Sequence, residues 1–197
     1  MRLLRPIGED EMVATFLRAE LGSERYGAKL RELLARDGRD ETVLRDPNLA
    51  SIGDNEYRLG LLEEHRAYGR REGLFLGFPS QVEWRRAALE PEEVLAIRYI
   101  NWDWWLMASD GTRRAPEAAR RIRAGEIEGV TVEEHEPFAD AAVQPELIAA
   151  TTDALHPLVL VEGHARLTAY ALFPERLPAQ LEVLLGISPE MPGWCQF

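Results

Sequence analysis

Pro157-Leu158-Val159-Leu160-Val161-Glu162-Gly163-His164-Ala165-Arg166-Leu167-Thr168-Ala169-Tyr170-Ala171-Leu172 is the stretch whose reading decides the fold. Residues 158–161 are a short apolar run rich in β-branched side chains, bounded by Pro157 and Gly163, and they predict a buried strand. Residues 165–172 are read as a helix that Pro174 ends. Residues 181–186, Leu-Glu-Val-Leu-Leu-Gly, predict a second strand. A strand, a turn, a helix and another strand in succession place the chain among folds that mix α and β.

Outward from that unit the pattern changes. Residues 144–154 predict one more helix, residues 130–132 (Val-Thr-Val) a short strand, and residues 133–145 an acidic, irregular, mobile loop. Pro116 opens a helix closed by Gly125, and Pro91-Glu92-Glu93 opens another. Residues 82–84 read as a strand start, with residues 85–89 equally compatible with helix. Residues 73–79 (Gly-Leu-Phe-Leu-Gly-Phe-Pro) read as a packed loop or short strand. The first eighty residues are helical: acids at 9–11 begin one helix with Met12, Val13, Phe16, Leu17 and Leu21 on one face. Ser23 opens a second, stopped by Asp37-Gly38, and a third runs from Asp54 through His65 towards Gly69. The expected architecture is α+β: a helical N-terminal part over 1–80 followed by a mixed α/β domain over 81–197.

Bulk composition narrows the function. A chain of 197 residues, 46% hydrophobic, buries a real core in one domain or one and a half. No run of 18 apolar residues is present, so no membrane span is expected. Met1-Arg2-Leu3-Leu4-Arg5-Pro6 lacks the apolar stretch of a secretory signal, so a cytoplasmic location is expected. The single cysteine, Cys195, forms no internal disulfide and is expected to be a small, partly buried side chain. A net charge of −11 repels phosphate backbones at long range, which argues against broad binding to nucleic acid.

The turn at 162–166 has the chemistry of an anion site. Amides at a helix start have no intrahelical acceptor and sit at the positive end of the helix dipole. Gly163 lets a ligand approach the backbone and tolerates positive φ. Arg166, one turn in, offers a fork of donors to phosphate oxygens. Glu162 can orient a metal ion or act as a base, and His164 can donate to phosphate or shuttle a proton.

The run resembles the signature of the ParB/sulfiredoxin-like superfamily, a compact α/β fold with a phosphate-gripping strand, turn and helix. ParB-type domains carry Gly-Glu-Arg-Arg-x-x-Ala, met here at Gly163, Arg166 and Ala169, with His164 and Ala165 at the two middle positions. Sulfiredoxins carry Gly-Cys-His-Arg, and without a cysteine in the turn their chemistry is not expected. The free serine kinases of the superfamily carry Asp-Gly-His-His-Arg, and this chain is similar to them through Glu162, Gly163, His164 and Arg166. The resemblance implies a superfamily fold over about residues 82–187 and a nucleotide- or phosphate-binding site at Gly163, His164, Arg166 and Thr168. It also implies ATP or ADP with Mg²⁺ as the companion; in a phosphotransferase His164 would polarise a phosphoryl oxygen and either Glu162 or Asp103, the latter from its own surroundings, would take the acceptor proton.

Two further constellations belong with it. Ser109-Asp110-Gly111-Thr112-Arg113 either completes a pocket through Ser109 and Arg113 or is a capping turn. Trp102 and Trp104 alternate across Asp103 as in a strand with one aromatic face, serving either the core or a flat ligand ring. Asp103 among them is exposed or partnered, and is a candidate general base. Arg113, Arg114, Arg120, Arg121 and Arg123 read as a solvated basic face, and the histidines show no metal-ligand spacing. The functional expectations are a nucleotide-dependent phosphotransferase acting on a small molecule, a non-catalytic ligand-binding or regulatory module, or a protein that docks partners through its helical half.

Overall fold

The chain enters the sheet at once. In a computed structural model, which describes residues 1–70, 72–140, 144–153 and 155–197, Arg2–Pro6 form strand β1. Helix α1 (Glu9–Leu21) follows with three acids in its first turn, favourable at the positive end of its dipole. After α2 (Gly27–Arg36) and the single turn α3 (Thr42–Arg45) comes α4 (Ile52–Arg66). Its N-cap Ser51 accepts from the Asp54 amide at 3.3 Å, so the helix begins two residues before the expected Asp54. A 3₁₀ turn at Gly73–Phe75 occupies the expected packed loop.

Strand β2 (Glu83–Leu89) settles the ambiguous segment. It leads into α5 (Pro91–Ala96), which starts with Pro91 and a capping box between Glu90 and Glu93. Helices α6 (Asp103–Ala108) and α7 (Ala115–Arg123) precede strands β3 (Leu147–Thr151) and β4 (Val159–Glu162). Helix α8 (His164–Leu172) and strand β5 (Leu181–Ile187) complete the strand, turn, helix and strand predicted over residues 158–186.

The five strands form one mixed sheet in the order β1-β2-β5-β3-β4, with β3 and β5 parallel and the other neighbouring pairs antiparallel. Side chains alternate between its faces, as the pleat requires. Ile148, Ala150, Val159, Val161 and Leu184 point to the layer holding Met12, Phe16, Leu61 and Leu62 of the N-terminal helices. Leu147, Ala149, Leu160, Val183 and Leu185 point to the opposite layer, with Val94, Ala118, Ala119 and Leu167. The helices before residue 66 and the sheet therefore share one core, and β1 carries the start of the chain to the sheet edge beside β2. Among the described residues no helix is long and apolar enough to cross a membrane.

Three sequence expectations are corrected here. Residues 144–154 are not a helix: they hold β3, whose five residues are all buried (Ala154 lies outside the described residues). A strand covered on both faces shows no polar alternation, and tertiary burial overrides the helix preference of its two alanines. Residues 102–104 do not alternate in a strand, because Trp102 caps α6 and its carbonyl accepts from the Leu106 amide at 2.9 Å. Residues 130–132 belong to no strand. In the segment expected as a loop, Glu133–Phe138 are a 3₁₀ turn and residues 141–143 lie outside the described residues.

Candidate functional site: the cleft at the start of α8

The sequence of β4 and α8 builds one wall of a cleft. Gly163, the N-cap of α8, has φ 108° and ψ 28°, a left-handed conformation that favours glycine. Space demands glycine as well: a Cβ there would lie 2.4 Å from Leu147 Cδ2 and 3.0 Å from Arg166 Nη2. The helix closes from the next turn, with the Leu167 amide donating to the Gly163 carbonyl at 2.9 Å. The amides of His164, Ala165 and Arg166 have no acceptor among the described residues.

Arg166 faces inward. Its side chain is 5% exposed and donates to the Pro145 carbonyl, to the Glu146 carbonyl at 3.2 Å and to Glu162 Oε1 at 3.2 Å. The expected phosphate fork is thus committed to holding the entry of β3 against the end of β4. Glu162, in turn, is raised from its ordinary 4.5 to about 7. Burial is the main cause, opposed by the charge of Arg166 and reinforced by that of Glu20.

His164 lies under an aromatic cover. Trp105 stacks on it with centroids 4.9 Å apart, and on Tyr99 at 4.4 Å. Tyr99 and His164 are themselves 6.0 Å apart and nearly parallel, so both lie against the indole. Burial, together with Arg66 and Arg166, pushes the imidazole down to about 3, which keeps it neutral at physiological pH. Its Nε2 is enclosed and has no hydrogen-bond partner among the described residues.

The opposite wall comes from the N-terminal helices. Glu20 on α1 has a side chain only 2% exposed, and its carboxylate accepts from Arg66 and from His65 Nε2 at 3.0 Å. Arg66 lies over the ring of Tyr26, 4.2 Å from its centroid. These residues line the same cleft as the Gly163 turn, together with Trp102 and Trp104. Those two indoles are 47% and 39% exposed, so they form an open aromatic rim. The cleft measures about 2020 Å³, above the roughly 300–1,000 Å³ of an ordinary small-molecule pocket, so such a ligand fills part of it.

The remaining expected site residues lie elsewhere. Thr168 is buried, with its Oγ1 2.7 Å from the Tyr99 hydroxyl and donating to the His164 carbonyl at 2.9 Å. It supports the aromatic stack from behind. Ser109 closes its own turn: Oγ donates to the Trp105 carbonyl at 2.7 Å and accepts from the Arg113 amide at 2.9 Å. Arg113, at φ 59°, donates to the carbonyls of Tyr99, Gln196 and Phe197 at 2.7–2.8 Å, tying the last residues to the body. Ser109 and Arg113 thus take the capping alternative, and neither lines the cleft. Asp103 is exposed at the start of α6 and is also outside the cleft lining. Cys195 is exposed, contrary to its expected partial burial.

Sequence reasoning did not single out Glu20, His65 and Arg66 as site residues. The available signal was a carboxylate on the apolar stripe of α1, four residues after Phe16, and an imidazole on the stripe of α4 after Leu61 and Leu62. Among the described residues no group of three or more His, Cys, Asp or Glu side chains is placed to hold a metal ion.

Comparison with models of known families, with curated proteins and with solved structures gives no significant match for this chain. The resemblance to the ParB/sulfiredoxin-like signature rests on residues 162–169 alone.

Proposed function

We propose that the protein binds a small phosphate-bearing ligand of the nucleotide class in this cleft. The carrying observation is a left-handed glycine followed by three amides without acceptors among the described residues, opening onto a cleft rimmed by Trp102 and Trp104. Amides at a helix start suit anionic oxygen, and an exposed indole suits a flat ring. Arg166 is engaged internally, so the anion is met by main-chain donors. Mg²⁺ would enter with the nucleotide's own phosphates. The resemblance of the turn to ParB-like phosphate grips supports the same reading.

Binding without turnover fits the geometry best. A phosphotransferase needs a free cation at the transferring group and a base beside the acceptor, whereas at the Gly163 turn Arg166 faces inward, Arg66 on the facing wall is bonded to Glu20, and Asp103 lies outside the cleft. One observation favours the phosphotransferase as a second reading: Glu162 titrates at about 7, the range of a working general base.

Calorimetry of the full chain with ATP, ADP and CTP, each with and without Mg²⁺, tests the proposal. Saturable binding of at least one is expected, with about tenfold weaker affinity in Trp102→Ala for the lost ring contact. No heat from any of the three overturns it. Product analysis after single turnover with bound ATP separates the readings: unchanged ATP fits the binding module, and ADP formation fits the phosphotransferase.

A further inference from the structure

The helical wall carries a polar group that the phosphate reading does not use. The side chain of His65 is 0% exposed, and its Nδ1 has no hydrogen-bond partner among the described residues. A buried polar atom left unpaired is costly, so such atoms in native proteins call for a water, a ligand or a functional role. The other ring nitrogen explains the state of this one. Glu20 already accepts from Arg66, and a carboxylate only accepts, so the proton of the 3.0 Å contact sits on His65 Nε2. In the neutral ring Nδ1 is then the acceptor. No described residue answers it, and the ring of Tyr26 stands edge-on to the imidazole with centroids 5.9 Å apart.

Position makes this a recognition element rather than a packing defect. His65, Glu20, Arg66 and Tyr26 line the same cleft as Gly163 and His164. The charges of Glu20 and Arg66 are felt at Glu162, and that of Arg66 at His164, so the two walls are electrostatically one site. We propose that His65, oriented by Glu20, is a ligand-binding residue that accepts a hydrogen bond from a hydroxyl or amino group of the bound molecule. This rests on the cleft being the binding site. It adds a ligand class: a molecule with a hydroxyl or amine donor besides the anionic group at α8. The imidazole is enclosed as it stands, so a donor reaches Nδ1 only when the side chains around it move. Glu20 is a positioning residue that fixes the tautomer and touches no ligand.

The test is ¹⁵N NMR of the full chain labelled on histidine, titrated separately with Mg-ADP and with ethanolamine, which offers both donors but neither phosphate nor ring. The expected result is a shift of the His65 Nδ1 resonance by the probe that binds, together with about tenfold weaker binding in His65→Phe. Glu20→Gln should redistribute the proton between the two ring nitrogens before any probe is added, which a packing role would not do. If His65→Phe does not fold, the Nδ1 shift in the wild-type chain decides. Mg-ADP binding that leaves Nδ1 unmoved overturns the assignment while the nucleotide reading stands. Failure of Mg-ADP to bind, with ethanolamine still shifting Nδ1, keeps His65 and leaves the nucleotide reading to the calorimetry with ATP and CTP. Silence towards both probes removes the His65 assignment.

Discussion

Glu162 and His164 titrate in opposite senses on either side of Gly163, and their combined effect on stability can be worked out. Glu162 is raised from 4.5 to about 7 in the folded protein. Below pH 4.5 both folded and unfolded chains hold its proton; between 4.5 and about 7 only the folded chain does. Stability therefore falls as pH rises through that window, by about 3 kcal/mol at 1.36 kcal/mol for each pH unit. His164 is lowered from 6.5 to about 3, so its contribution is full above pH 6.5 and is lost as pH falls towards 3, by about 5 kcal/mol. Between pH 4.5 and 6.5 the two slopes cancel, and this pair gives the wild type a plateau. Glu162→Gln removes one slope and keeps the shape of the side chain. In urea unfolding at half-unit steps from pH 4 to 8, the stability of that variant relative to wild type should climb by about 3 kcal/mol between pH 4.5 and 7. His164→Gln should show the opposite tilt below pH 6.5. A Glu162→Gln profile parallel to that of wild type over pH 4.5–7 would refute the argument that burial, rather than the Arg166 charge, governs this carboxyl.

Arg166→Met leaves Glu162 without its partner and strands the carbonyls of Pro145 and Glu146, so a loss of about 3–5 kcal/mol is expected. Chemical denaturation should find the loss smaller at pH 5, where Glu162 is protonated, than at pH 8. Gly163→Ala places a methyl 2.4 Å from Leu147 in a left-handed conformation; a destabilisation of about 2–4 kcal/mol is expected, and a thermal midpoint within a degree of wild type would contradict it. Trp194→Ala removes a side chain that is 1% exposed and whose indole N–H donates to the Leu74 carbonyl at 2.6 Å. Calorimetric unfolding should show a loss of about 3–5 kcal/mol.

What the sequence disclosed follows from where each element sits. Strand β4 and helix α8 were legible because Pro157, Gly163 and Pro174 punctuate a β-branched run and a helical one. The N-terminal helices α2 and α4 showed their apolar stripes because each buries a single face, and α1 showed one although its residues 12–17 are buried all round. Strand β3 was hidden for the opposite reason: buried from both sides, Leu-Ile-Ala-Ala-Thr carries neither alternation nor turn residues, and its alanines imitate a helix. Strand β1 was hidden because an edge strand with Arg2 and Arg5 outward has too little apolar content to register. Within the site, the turn announced Glu162, Gly163 and His164, and the structure does bring them to one cleft. The orientation of Arg166 was not legible, since an arginine one turn into a helix serves an anion outside or carbonyls inside with the same residue type. Only the path of residues 145–146 beneath it decides between them.

That inward arginine changes what kind of site this can be. Its charge holds the corner of the sheet together and opposes, without cancelling, the effect of burial on Glu162. The cations that face the cleft come instead from the helical half, chiefly Arg66, which also bonds Glu20 and lies over Tyr26. A ligand in the cleft therefore meets amide dipoles and a neutral imidazole on one wall, and a carboxylate-anchored imidazole with its arginine on the other. Such a surface selects by hydrogen-bond pattern more than by charge. That is consistent with a chain whose net charge of −11 repels anions until they are close enough to be met by individual donors. If the cleft binds the proposed ligand, the helices packed across the sheet supply half of the binding surface as well as half of the core. A substitution at Glu20 or Arg66 should therefore be felt at Glu162, across the same cleft, although more than ninety residues separate them in sequence.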